Sequence, residues 1–112
     1  MNKYASRGLA FAAIVEARTV LVVTRHAEVQ IALREMAEIG VQGQVVRRAN
    51  GAEEIRYPNG GRVLFRAAGG HGYRGVSVDT VYLDAGLGND DRLLDDLVPC
   101  VQASPRGELV RA

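Results

Sequence analysis

The first forty residues of the chain predict a helix, a buried strand and a second helix. Good helix formers fill residues 6–17, and one face of that segment carries Leu9, Ala13, Ile14 and Ala17. Residues 18–24 contain TVLVV, a β-branched apolar run of the kind found in strands buried on both faces of a parallel sheet. Residues 26–39 return to a helical period and stop at Gly40. This order of elements is typical of an α/β fold.

The middle of the chain predicts a β-hairpin that follows a short strand at residues 44–48. Residues 53–57 and 62–67 alternate apolar with charged side chains on either side of PNGG, which is a turn sequence. The apolar face of this hairpin would carry Ile55, Tyr57, Val63 and Phe65. The opposite face would carry Glu54, Arg56, Arg62 and Arg66, for which cross-strand charge pairing is a sufficient role.

The last third of the chain predicts two more strands with a helix between them. A buried strand is expected at 78–83, an acidic helix at 90–97 capped by Asn89 or Asp90, and a short strand at 98–103. The tail, SPRGELVRA, is expected to be frayed. We therefore predict an α/β fold with a small, partly parallel sheet flanked by helices and an appended β-hairpin. Its neighbouring parallel strands would be TVLVV, VDTVYL and PCVQA.

Composition narrows the class of protein without indicating a partner. The 112 residues are predicted to form one domain over 1–112, with 14 basic and 13 acidic side chains. Cys100 is the only cysteine, so an intramolecular disulfide and an all-cysteine metal site are excluded. No apolar run reaches the roughly 18 residues of a membrane span. We expect a cytoplasmic protein with no membrane partner, no resident metal and no cofactor.

The stretch GGHGYRGVSVDTVYLDAG at residues 69–86 carries the most specific chemistry. A glycine-rich loop bearing Arg74 precedes an apolar strand that ends in Asp84, which is how a Walker B strand presents its magnesium-binding carboxylate. The next residue is Ala85, where a working NTPase of this type has a glutamate that orients the attacking water. The chain also lacks a G-x-x-x-x-G-K-[ST] loop to hold the phosphates. Asp84 is therefore interpreted as vestigial, and no catalytic residue is assigned.

Four stretches in sequence order resemble consecutive pieces of a phage terminase large-subunit ATPase domain, in the P-loop NTPase superfamily. They are TVLVVTRHAEVQIALREM, the NGAEEIRYPNGGRVLFRAAG hairpin, GYRGVSVDTVYLDAG and VPCVQASPRG. The resemblance implies a truncated, degenerate domain without the Walker A loop, with Ser104 and Pro105 as a coupling motif after the strand PCVQA. In the family, the strand bearing the phosphate loop flanks the one that PCVQA resembles. An exposed sheet edge is therefore implied at Pro99, Cys100, Val101, Gln102 and Ala103.

Three functions are compatible with these residues. The sequence favours a non-catalytic interaction protein, phage-encoded and located in the cytoplasm of a bacterial host, that self-associates or binds a host or phage protein. One alternative is a nucleic-acid-binding module whose candidate phosphate contacts are Arg56, Arg62, Arg66 and Arg74. The other is a remnant ATPase subunit that another chain completes. His26 and His71 stand in no metal-ligand spacing and are interpreted as incidental.

Overall fold

Three α-helices and six strands make up the computed structural model, which describes residues 3–70, 72–73 and 75–111. In chain order the elements are α1 (Lys3–Glu16), β1 (Thr19–Thr24), a 3₁₀ turn (His26–Glu28), α2 (Val29–Ala37), β2 (Val45–Arg47), β3 (Glu54–Arg56), β4 (Arg62–Ala67), β5 (Thr80–Leu83), α3 (Asp91–Gln102) and β6 (Glu108–Arg111). The predicted α/β class is confirmed. None of the described helices has the length and hydrophobicity that crossing a bilayer requires.

The strands form one mixed sheet of six in the order β2-β3-β4-β1-β5-β6. Strands β4, β1, β5 and β6 run parallel, whereas β2 and β3 run antiparallel to their neighbours. The prediction that TVLVV and VDTVYL are parallel neighbours is confirmed, with Leu21 opposite Val81. The hairpin is not an appendage, because β4 pairs with β1 along its whole length in the middle of the sheet.

Strand β1 is the centre of the core because helices cover it on both faces. Its side chains alternate between two apolar clusters, as the two-residue period of a strand requires. Val20 and Val22 pack in a cluster with α1 and α2, and Leu21 and Val23 pack in a second cluster with α3. All four side chains are completely buried, which explains the uninterrupted apolar run in the sequence.

The predicted strand at 98–103 is wrong, because α3 continues through this segment to Gln102. The helix begins at Asp90, whose carboxylate accepts a hydrogen bond from the Leu93 amide at 3.1 Å. Its buried side chains are Leu93, Leu97 and Cys100, at the spacing of one helical face. The segment therefore offers no main-chain edge for strand pairing, and the proposed sheet edge at Pro99–Ala103 is overturned.

The tail that was expected to fray forms β6, which pairs with β5 from Glu108 to Arg111. Ser104 and Pro105 consequently lie in the turn before β6, not at the carboxyl end of a strand as the resemblance implied. An apolar contact explains the pairing, since Leu109 packs against the second cluster and faces Val81 across the ladder. Among the described strands, β6 and β2 are the two outer ones.

The turn of the β3–β4 hairpin is fastened to the end of α1. The Asn59 side-chain amide donates a hydrogen bond to the Ile14 carbonyl. Gly61 lies so close to the helix that a Cβ built on it would stand 1.9 Å from the Ala13 carbonyl oxygen. Gly61 is therefore required by the close approach of two backbones, whereas Gly60, at a φ of 93°, is the glycine that the turn favours.

Candidate functional site

The carboxyl ends of the parallel strands, where α/β folds usually bind ligands, carry Asp84. Asp84 follows β5 and is 6% exposed. Its main-chain amide donates to the Val23 carbonyl at 3.0 Å, and its Oδ1 accepts from the Ala85 amide at 2.9 Å. The strand-end position that the sequence predicted for Asp84 is therefore observed, with one carboxylate oxygen engaged by the turn that follows.

The described residues around Asp84 do not form a metal site of their own. Among the residues that the structure describes, no three carboxylate, histidine or cysteine side chains are grouped so that they could hold a metal ion. The residue at the water-orienting position, Ala85, has no group that could act on water. The guanidinium of Arg25, at the end of β1, packs on Gly86, where a Cβ would meet its Nη2 at 2.6 Å. This side chain therefore covers the loop after Asp84.

A second concave surface, the arginine groove, lies on the face of β2, β3 and β4 that also bears Leu64. Four arginines line it together with one glutamate, and the full set of charged residues is Arg47, Glu54, Arg56, Arg62 and Arg66. The groove has a volume of about 500 Å³ and is bordered by Gly75, Val76 and Ser77. Four guanidinium groups against one carboxylate give this surface a net positive charge.

Glu54 organises three of these arginines. Its buried carboxylate lies 3.1 Å from the Arg56 guanidinium and 3.4 Å from that of Arg62, and Arg47 approaches it to 4.0 Å from the neighbouring strand. The side chains of the three arginines are 36% to 59% exposed, so each retains N–H groups that face solvent. The charge pairing predicted across the hairpin is confirmed for Arg62 of β4, whereas Arg56 pairs with Glu54 along the same strand.

Arg66 has a different role, because its guanidinium is used within the protein. It donates to the main-chain carbonyls of Glu53 and Phe65 at 2.7 and 2.8 Å, and to that of Gly72 at 3.2 Å. Burial lowers the pKa of Arg66, with partial compensation from the nearby carboxylates of Glu53 and Glu54. Arg66 thereby ties the loop that contains Gly72 to the end of β4.

Arg74, Arg47 and Cys100 differ in how the structure bears on them. Arg74 lies outside the described residues. Arg47 was not among the sequence candidates, although the two-residue period of β2 places it on the same face as Arg56 across the β2–β3 pairing. Cys100 is buried, its thiol donates to the Tyr73 carbonyl at 3.3 Å, and burial followed by the charge of Asp96 raises its pKa. Cys100 is therefore a buried core thiol.

Helix α1 presents a further surface that sequence reasoning missed. Tyr4, Phe11 and Val15 are 72%, 57% and 62% exposed. Together with Gly8 they follow the i, i+4, i+7, i+11 spacing of one helical face, and we call these four residues the outer stripe. The spacing of these four residues can be read from the sequence. It was overlooked because the apolar stripe that includes Leu9 and Ala13 was sufficient to predict an amphipathic helix.

Comparison of this chain with family models, with curated proteins and with solved structures finds no match. The terminase resemblance therefore stays a prediction carried by the motifs alone.

Proposed function

We propose that this chain is a non-catalytic interaction protein that acts by self-association or by binding another protein. The observation that carries the proposal is the outer stripe of α1, in which three large apolar side chains on one helix face lie open to solvent. Contiguous exposed apolar surface of this kind marks interaction sites on soluble proteins. A helix that is apolar on two faces is usually buried on both, and the sheet of this chain covers only one face of α1.

The strand ends support the non-catalytic part of the proposal. Asp84 stands where a Walker B carboxylate would stand, yet Ala85 follows it and the sequence has no phosphate-binding loop. Descent from a terminase ATPase domain that has degenerated would explain why the chain has the Walker B aspartate without the other motifs. A phage origin and a location in the cytoplasm of a bacterial host belong to the same proposal.

Two measurements on the intact protein test the proposal. We expect no ATP turnover above background, and we expect sedimentation equilibrium to show association that Phe11→Glu weakens. Val98→Glu is the matched control, because Val98 is also an exposed helical side chain but lies on α3. Steady ATP turnover that Asp84→Asn removes would overturn the non-catalytic assignment.

A specific observation favours a second candidate function, the binding of nucleic acid in the arginine groove. Arg47, Arg56 and Arg62 are held side by side by one carboxylate with part of each guanidinium exposed. Arrays of arginines bind phosphates through paired N–H donors, and such contacts supply most of the non-specific affinity for nucleic acid.

Salt-dependent DNA binding tests this candidate. We expect the triple variant Arg47→Ala, Arg56→Ala and Arg62→Ala to bind more weakly, with the slope of log K against log salt reduced by about one unit for each phosphate that is no longer neutralised. The triple change Arg34→Ala, Arg92→Ala and Arg111→Ala is the matched control, because it removes the same charge and all three arginines are exposed outside the groove. The absence of binding by the unmodified protein at low salt would remove this candidate.

A further inference from the structure

Helix α1 has two apolar faces that point in opposite directions. Successive residues turn by about 100° around a helix, so the outer stripe forms one narrow band. The buried residues of the helix, Ser6, Leu9, Ala10 and Ala13, lie on the other side, and the three apolar ones among them pack in the first core cluster against the sheet. The outer stripe is therefore not part of the core of this chain.

The stripe alternates large and small residues in a way that complements itself. Gly8 lies between Tyr4 and Phe11, is exposed, and has no atom within 4 Å of the position where a Cβ would be. It forms a shallow notch in the helix surface, with Phe11 rising one turn further along. Because the notch and the projecting ring lie on the same face, the ring of one helix can enter the notch of an identical helix, and the reverse contact forms at the same time.

We propose that the outer stripe binds the outer stripe of a second copy of this chain, with the two α1 helices antiparallel. This inference rests on the proposed function, and it identifies the binding partner as a second copy of the chain. In this register Phe11 of each copy enters the notch at Gly8 of the other, and Tyr4 of each copy packs on Val15 of the other. One two-fold axis relates both kinds of pair, as a closed dimer requires.

The charges and sizes along the helix agree with this register. Arg7 flanks the stripe, and the two copies of Arg7 lie on the same flank about five helical rises, or about 7.5 Å, apart along the helix axis, so their guanidinium groups are not directly opposite each other. A glycine at the contact allows the helix axes to approach to the short end of the usual 8–10 Å range. Given their exposed fractions, two tyrosines, two phenylalanines and two valines would bury on the order of 800 Å² in total, which is below the roughly 1,000 Å² of a stable specific interface. We therefore expect a reversible dimer and not an obligate one.

Cross-linking between two different single-cysteine variants tests the register. Tyr4→Cys and Val15→Cys are each made in a Cys100→Ala background, with circular dichroism as a check on folding. We expect a short bismaleimide to give a covalent heterodimer when the two variants are mixed, and little product from either variant alone. In the antiparallel register the two copies of residue 4 are separated by about 11 helical rises, or about 16 Å.

The outcomes separate this inference from the function on which it rests. Homodimers from each variant alone would indicate parallel helices and overturn the register. A protein that remains monomeric at high concentration would overturn the second copy as the occupant, while binding of a different protein would still satisfy the proposed function. Gly8→Leu, which fills the notch with a good helix former, should weaken the dimer at least tenfold and leave the helical content unchanged. A dimer that tolerates Gly8→Leu would contradict the proposal.

Discussion

The Ser104 hydroxyl donates a 2.6 Å hydrogen bond to Oδ1 of Asp79, and this contact holds the turn before β6 beside the start of β5. Asp79 directly precedes β5, whereas Asp84 directly follows it. Five residues of extended chain separate the two carboxylates, a distance of about 16 Å. Ser104 therefore lies at the amino end of the parallel strands and cannot join Asp84 in one site, which is the physical reason why the coupling motif expected from the resemblance is not formed there.

Asp79 should make the protein less stable in acid. Its other oxygen accepts from the Thr19 amide at 2.9 Å and lies 3.4 Å from the Arg106 guanidinium. Burial alone would raise the pKa of Asp79, but these hydrogen bonds and the charges of Arg106 and Arg18 together lower it. Because the folded pKa is below the unfolded one, this stabilisation is complete above a pH of about 4 and is lost as the pH falls through the folded pKa.

The Asp79→Asn variant measures this contribution. We expect the free energy of unfolding at neutral pH to fall by about 1–2 kcal/mol, because charged hydrogen bonds are replaced by weaker neutral ones. Urea unfolding at several pH values should show the difference between the two proteins shrinking below a pH of about 4. A difference that is the same at every pH would show that the Asp79 charge is not the cause.

Gly61→Ala should destabilise the protein more than its small size suggests. The added Cβ would stand 1.9 Å from the Ala13 carbonyl oxygen, so either the hairpin turn or the end of α1 must move. We expect a loss of about 1–3 kcal/mol, the usual cost of overpacking. Gly8→Ala, compared at a protein concentration at which the chain is monomeric, is the matched control, since it then adds the same methyl group in open space on a helix and should stabilise by about 0.5–1 kcal/mol. Equal effects of the two changes in thermal unfolding would contradict this reasoning.

The sequence was sufficient to predict those strands and helices whose hydrophobic pattern lies within a short segment. TVLVV could be identified as a strand buried on both faces from its continuous apolar character, and its pairing with VDTVYL was implied by the resemblance. The hairpin was visible because PNGG separates two alternating segments. The segment VPCVQA was misread because Val98, Val101 and Pro99 individually favour extended structure, while the helical spacing of Leu97 and Cys100 extends from the preceding turns.

The candidate sites were less predictable because they depend on contacts between distant segments. Glu54 and Arg56 are close in sequence, but Arg47 reaches the same carboxylate only through the β2–β3 pairing. No local sequence pattern shows that the Arg66 guanidinium donates a hydrogen bond to the Gly72 carbonyl. Likewise, the exposure of Phe11 follows from which face of α1 the sheet covers, and both faces of that helix are apolar.

Glu54→Gln should weaken the fold and strengthen polyanion binding together. The buried carboxylate is the shared partner of Arg47, Arg56 and Arg62, and its loss leaves three cations that repel one another. We expect a destabilisation of about 1–3 kcal/mol, at the low end for broken buried pairs because the arginines are partly exposed. Glu35→Gln, on the exposed side of α2, is the control of equal charge change.

Both effects of Glu54→Gln can be measured on one preparation. Urea unfolding gives the stability, and retention on heparin at low salt gives the polyanion affinity. Added salt should reduce the difference in stability, because it screens the repulsion among the exposed guanidinium groups. A Glu54→Gln protein that is more stable than the unmodified one would show that the arginines do not depend on this carboxylate.

Pro99→Ala should stabilise the protein by strengthening α3. Pro99 lies inside the helix, where it has no N–H to donate to the carbonyl four residues earlier and its ring crowds that carbonyl. The side chain is exposed, so alanine removes little packing. We expect a gain of about 1–3 kcal/mol in the free energy of unfolding and more helical signal in circular dichroism. Gln102→Ala, at the last position of the same helix, is the control for helix propensity alone and should change stability by less than about 0.5 kcal/mol. If Pro99→Ala instead lowers the stability, the proline ring must contribute packing or rigidity in the unfolded chain that outweighs the missing hydrogen bond.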